Sequence, residues 1–216
     1  MATYKERLAE LLIYCDIQIP IKRIYRIQFI YGIGFGIALA LVLYRFSLLY
    51  AITALIALPI LFNIILFVWL ILKAHSRANI AEDFLPDALT LMATNIKSGL
   101  TPDMALLLSA RPEFGPLEKE LREVAKESLT IMPFEEAILE ISKKFDSQLI
   151  KRTLMLISEG IKSGGELAII LEKTATDVRG IKALKREIRA EVTMHALFII
   201  FASAIGAPLL FGTSTF

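Results

Sequence analysis

Gly160-Ile161-Lys162-Ser163-Gly164-Gly165 sets a lysine–serine pair among glycines, the residue types with which a loop can cradle the phosphates of a nucleotide. The residue types alone are not enough for that chemistry. A phosphate loop bends its backbone round the anion through a Gly-x-x-x-x-Gly lead, and it leaves a strand to open a helix. Here the lead is missing and the preceding pattern is helical. The segment therefore predicts a Schellman-type helix stop and then a helix start, with Ser163 and Glu166 at capping-box spacing. A metal site needs several convergent donors, and neither His75 nor His195 has a cysteine or carboxylate at ligand spacing. No metal or cofactor is expected. No Ser/His/Asp, Cys/His or paired-carboxylate arrangement stands out either, so no catalytic residue is assigned and the chain is not expected to be an enzyme. Cys15 is the single cysteine, which excludes an intramolecular disulfide and suits a small apolar residue on a helix face.

The elements that must carry these residues are set by where charge is absent. Three uncharged runs, 27–44, 46–72 and 192–216, bracket a charged amphipathic stretch, 73–191. About 20 apolar helical residues cross the hydrocarbon core of a bilayer. Each run is long enough or nearly so, and the middle one has length that a tilt or a bend at Pro59 absorbs. The chain of 216 residues is 56% hydrophobic, and its mean hydropathy of +0.61 is high for a soluble domain. The expected architecture is all-α: a polytopic membrane protein with three transmembrane helices and a cytoplasmic antiparallel bundle of about six helices between the second and third. The divisions fall at 1–25 (an amphipathic N-terminal segment), 26–73 (a transmembrane hairpin), 74–191 (the bundle) and 192–216 (the third span, where the chain stops early enough to suggest truncation).

Positively charged flanks stay on the cytoplasmic side of a membrane. Lys22, Arg23 and Arg26 precede the first run, Lys73 and Arg77 follow the second, and Arg179, Lys182, Lys185, Arg186 and Arg189 lead into the third. Only Arg45 stands on the other side. The N-terminus and the domain are therefore expected in the cytoplasm of a plasma or inner-membrane protein. The net charge of +2 is nearly balanced, and nucleic acid is not an expected partner.

Within the charged stretch the pattern is helix after helix. Leu85, Ala88, Leu89, Met92 and Ile96 form one apolar stripe, closed by Ser98-Gly99. Thr101-Pro102-Asp103 opens the next helix in N-cap, first-turn order. Leu117, Leu121 and Val124 mark a third, and Phe134, Ala137, Ile138, Ile141 and Phe145 a fourth. Ile150, Leu154, Ile157 and Ile161 mark a fifth. Leu167, Ile170, Leu171, Thr174, Val178, Ile181 and Ile188 mark a sixth, running on into the third span. Helices apolar on one stripe must bury those stripes against one another. An echo between Ile96-Lys97-Ser98-Gly99 and Ile161-Lys162-Ser163-Gly164 suggests two matching helix–turn–helix units. At the N-terminus, Tyr4, Leu8, Leu11, Leu12 and Cys15 share one face of a short helix that lies in the membrane interface and ends by Pro20.

Two features are candidate contact surfaces. Arg179, Lys182, Lys185, Arg186 and Arg189 anchor the chain to anionic lipid or offer a docking face to an acidic partner. Gly32 and Gly36 make a GxxxG face on which helices approach closely, within one subunit or between two. Asn63 and Pro59 in the second run fit packing and a kink better than a transport path.

The punctuation as a whole resembles the type II secretion system F domain family. The likeness rests on Leu85-Pro86-Asp87-Ala88-Leu89, on Ser98-Gly99-Leu100-Thr101-Pro102-Asp103-Met104-Ala105-Leu106, on Pro133-Phe134-Glu135-Glu136-Ala137-Ile138, and on Glu159-Gly160 to Gly164-Gly165-Glu166-Leu167. Two spans ahead of the domain look like the tight-adherence and archaeal (archaellum) branches. The resemblance implies an assembly platform of a type IV pilus-like or type II secretion machine. Its implied partners are a cytoplasmic secretion ATPase, pilin-like subunits and a second copy of the chain. The competing readings are a transporter or channel subunit, and the membrane portion of a sensor.

Overall fold

The computed structural model describes residues 4–15 and 48–206. Its elements are all helical: α1 (Tyr4–Tyr14), α2 (Leu48–Lys97), α3 (Pro102–Ser109), α4 (Pro116–Thr130), α5 (Phe134–Ser142), α6 (Gln148–Lys162) and α7 (Leu167–Phe201). A 3-10 turn at Pro112–Phe114 links α3 to α4, and a π turn at Ala202–Gly206 continues α7. No strand occurs among the described residues.

The apolar stripes read from the sequence are the core. Leu85, Ala88, Leu89 and Met92 of α2 meet Leu117, Leu121 and Val124 of α4, Ala137, Ile138 and Ile141 of α5, Ile150, Leu154 and Ile157 of α6, and Leu171 and Ala175 of α7 in one buried cluster. On α7 the burial ends at Val178; Ile181 and Ile188, which continue the stripe, are exposed. Past Val178, α7 still runs beside α2, but the contact there is the charged one between Lys182 and Asp83.

α2 joins the second expected span to the first helix of the domain. The division at 73/74, placed where apolar gives way to charged, falls inside one unbroken helix of 50 residues, about 75 Å long at 1.5 Å per residue. A change of charge alters the medium a helix suits, whereas ending it requires broken backbone hydrogen bonds. The breakers available are Pro59 and Pro86, and the helix runs through both at the loss of two N–H donors.

Among the described residues, two helices are long and apolar enough to cross a membrane. The most apolar windows of α2 and α7 both have a mean hydropathy of 1.6, and 11% and 0% of them, respectively, is covered by protein. A core helix of that composition would be mostly covered, so bare apolar sides of this length call for lipid. These are the second and third expected spans. The first span, with Gly32, Gly36 and Arg45, lies outside the described residues. At the interface end of the α2 span, the Lys73 ammonium lies 5.1 Å from the centre of the Trp69 ring, an amphipathic pair typical of that depth.

The internal echo is structural. Gly99 donates to the Ile96 carbonyl and Leu100 to Asn95; Gly164 donates to Ile161 and Gly165 to Gly160. Both are Schellman turns closed on a left-handed glycine, φ +93° at Gly99 and +78° at Gly164. Stepping along the chain by the interval between those glycines carries Leu85 to Ile150, Leu89 to Leu154, Met92 to Ile157 and Leu106 to Leu171, all buried. The end of α2 with α3, and α6 with the start of α7, are thus matching units. Ser163 departs from the capping-box expectation: it closes α6, its hydroxyl donating to the Glu159 carbonyl at 2.8 Å, and Glu166 takes the N-cap position of α7. Thr101 occupies its expected N-cap place without a side-chain cap bond.

Gly164→Ala is expected to lower stability by about 1–2 kcal/mol, the cost of a side chain in the left-handed region. A Cβ on Gly180 of α7 would meet nothing within 4 Å, so Gly180→Ala should raise helix stability by roughly 0.5–1 kcal/mol. Thermal unfolding of the full chain in detergent, followed by circular dichroism, distinguishes the two signs.

Candidate functional site

The charged residues of α7 acquire partners on α2. Lys97 pairs with Glu172 at 2.6 Å. One Nη2 of Arg179 donates to Asp87 Oδ1 and to Thr90 Oγ1, each at 2.9 Å. Lys182 donates to Asp83, and Arg186 lies 4.0 Å from the same carboxylate. As numbers rise along α7 they fall along α2, so the helices run antiparallel, fastened at three levels. Each of these two helices is also long and apolar enough to span a membrane. Such exposed pairs contribute at most about 1 kcal/mol each; their value is in fixing the register of one helix against the other.

The expected basic face is therefore divided. Arg179 and Lys182 turn into the seam, and Arg186 leans toward it with most of its side chain in water. Lys185 and Arg189 remain exposed, nearer the span. Sequence reasoning found the five cations and missed Asp83 and Asp87 opposite them. Asp87 belongs to the Leu85-Pro86-Asp87-Ala88-Leu89 signature, and its pairing with Arg179 gives that residue a physical role. Beside the seam lies a groove of about 380 Å³ lined by Thr90, Ile169, Glu172, Lys173, Thr176 and Arg179.

At the turn between α6 and α7, the N–H groups of Gly164 and Gly165 that a phosphate would need are bonded to the carbonyls of Ile161 and Gly160. The glycines serve packing. A Cβ on Gly160 would lie 2.9 Å from Ile170 Cδ1, and one on Gly165 would lie 2.8 Å from that atom and 3.0 Å from the Gly160 oxygen. His75 and His195 are exposed, on α2 and α7.

Nearer the membrane a second group joins α1 to the rest. Leu11, Leu12 and Cys15 pack on Leu70 and Ala74 of α2, with Tyr14 and Phe67 alongside. The helix foreseen in the membrane interface thus has its apolar face against the α2 span. Arg77 of α2 donates to the Tyr14 carbonyl at 2.8 Å and to Glu120 Oε1 of α4 at 2.5 Å. Its guanidinium carbon lies 5.1 Å from the centre of the Phe145 ring. Burial pushes the Cys15 thiol above its usual range, with Lys73 and Arg77 pulling the other way. Burial raises the Tyr14 phenol too, and Asp146 and Glu10 add to it.

The family model for type II secretion system protein F matches residues 88–214, well over half the chain. An uncharacterized protein of Methanocaldococcus jannaschii is 26% identical over 121 residues, 56% of this chain and 20% of that protein. A second from the same organism is 27% identical over 141 residues, 62% of this chain and 46% of that protein. The chain therefore spans less than half the length of the curated relatives it matches. No solved structure matches it.

Proposed function

We propose, since the chain belongs to the type II secretion system protein F family, that it is a non-enzymatic membrane platform of a type IV pilus-like or type II secretion-like machine. In this reading a cytoplasmic secretion ATPase docks on the helical domain, and its movement passes through the spans to insert or extract pilin-like subunits. The N-terminus and the domain face the cytoplasm, in keeping with the basic flanks of the spans, and the 27–44 run supplies the first of three spans.

The observation that carries the proposal is continuity. α2 and α7 each pass from the buried core into a bare apolar stretch without a break. A displacement applied to the core therefore reaches the membrane through two unbroken rods rather than being lost in a loop. The seam of Asp83, Asp87 and Glu172 with Lys182, Arg179 and Lys97 keeps the rods in register.

The test is crosslinking of the full chain in native membranes, with partners identified by mass spectrometry. A secretion-type ATPase joined to the domain and a pilin-like protein joined to the spans are the expected result. Turnover of a substrate by the purified chain alone would overturn the proposal, as would crosslinks that include neither class of partner.

A further inference from the structure

Arg77 is nearly buried, with 12% of its side chain exposed, and Glu120 more so, at 3%. Only one oxygen of Glu120 is satisfied; Oε2 is buried with no hydrogen-bond partner among the described residues. Two charges removed from water depend on one another when their other contacts are this few. The remaining hand of Arg77 holds the Tyr14 carbonyl. Tyr14 ends α1, so that carbonyl is one of the orphan acceptors at a helix C-terminus, where the dipole is negative and a cation is favoured. Among the described residues, α1 is also held by the short apolar seam of Leu11, Leu12, Tyr14 and Cys15 on Phe67, Leu70 and Ala74, with the Cys15 thiol on the Leu70 carbonyl. One guanidinium therefore joins α1, α2 and α4, and its position on α1 is conditional on its partner in α4.

We propose that Arg77 is a latch by which the position of α4 controls the docking of α1 on the second span. With Glu120 in place, the guanidinium stays inside and pins the end of α1. A shift of α4 that withdraws Glu120 leaves Arg77 as a buried, unpaired cation. It swings to water, the Tyr14 carbonyl loses its donor, and α1 parts from α2, uncovering Leu70 and Ala74 at the membrane boundary. Arg77 is a positioning residue in this device, which stands on the geometry independently of the secretion reading.

The chain carries its own reporter. Cys15 is the sole cysteine, 5% exposed, and its thiol faces the Leu70 carbonyl at 3.5 Å. Reaction with a water-soluble maleimide requires α1 to lift, so its rate reads the opening equilibrium. In full-length protein in native membranes, Glu120→Gln, whose amide oxygen still accepts but carries no charge, is expected to speed the modification about fivefold, the difference between a hydrogen bond to a charged acceptor and one to a neutral acceptor. Arg77→Met combined with Glu120→Leu fills the same space without charge; it should melt close to the wild-type temperature yet label at least as fast as Glu120→Gln. Leu171→Ala, a core cavity that touches neither partner, should label at the wild-type rate below its own melting temperature. Wild-type labelling in Glu120→Gln or in the double variant would overturn the proposal, because α1 would then stay docked without the latch. Equal acceleration in Leu171→Ala would overturn it too, because Cys15 would then be reporting general loosening.

Discussion

Arg77→Ala is expected to cost about 3–5 kcal/mol, the largest loss from any single charged residue of the domain, because it strands Glu120 as a buried, unpaired carboxylate. The contrast is Arg179→Ala. Arg179 and Asp87 are 49% and 58% exposed, water screens both, and the change should cost less than about 1 kcal/mol. Two pairs of the same chemistry should thus differ severalfold in worth, for reasons of burial alone. Replacing both buried partners, with Arg77→Met and Glu120→Leu, should recover most of the loss, since no orphaned charge remains. Chemical denaturation of the detergent-solubilised chain measures all three. If Arg77→Ala proves no costlier than Arg179→Ala, the buried pair does not hold the domain together.

Leu184→Pro is expected to stop filament assembly or secretion while leaving the bundle folded. Leu184 is 57% exposed and lies beyond Val178, the last buried residue of α7, so no core contact is lost. Proline at an interior position removes one backbone bond and clashes with the carbonyl four residues earlier, kinking the helix at a cost of about 3 kcal/mol or more. The kink falls between the core and the span. Leu184→Ala, a better helix former at an exposed site, should be silent. The measurement is export or filament formation in cells, at matched expression and membrane insertion, with protease resistance of the bundle as the check on folding. Normal assembly in the proline variant would mean that the unbroken helix is not what carries the motion.

The parts of the fold that were legible before any coordinates are those set by short-range rules. The stripes Leu85 to Met92 and Ile150 to Ile157 follow from a helical period, and the stops at Gly99 and Gly164 from the one residue tolerant of a left-handed backbone. What escaped involves partners far apart in sequence. Nothing local tells that Lys182 meets Asp83, or that Glu120, on the same face as Leu117 and Leu121, belongs inside because Arg77 waits there. Capping was half legible: Thr101 takes the N-cap place of α3, whereas Ser163 bonds backward and closes a helix where the spacing suggested it opens one, and Ser147, which caps α6 by accepting from the Ile150 N–H at 3.0 Å, was not singled out. The change from apolar to charged at 73/74 leaves no mark on the backbone, because a helix is insensitive to the polarity of its surroundings so long as its own ladder is intact.

Core contacts on α7 cease at Val178, but the helix goes on to Phe201. That overhang is about 35 Å at 1.5 Å per residue. A stiff arm of such length multiplies angle into distance: rocking the bundle by roughly ten degrees sweeps the far tip sideways by about 6 Å, close to the pitch of one helical turn. Gearing of this kind lets a small torque applied at one end produce a molecular-scale stroke at the other.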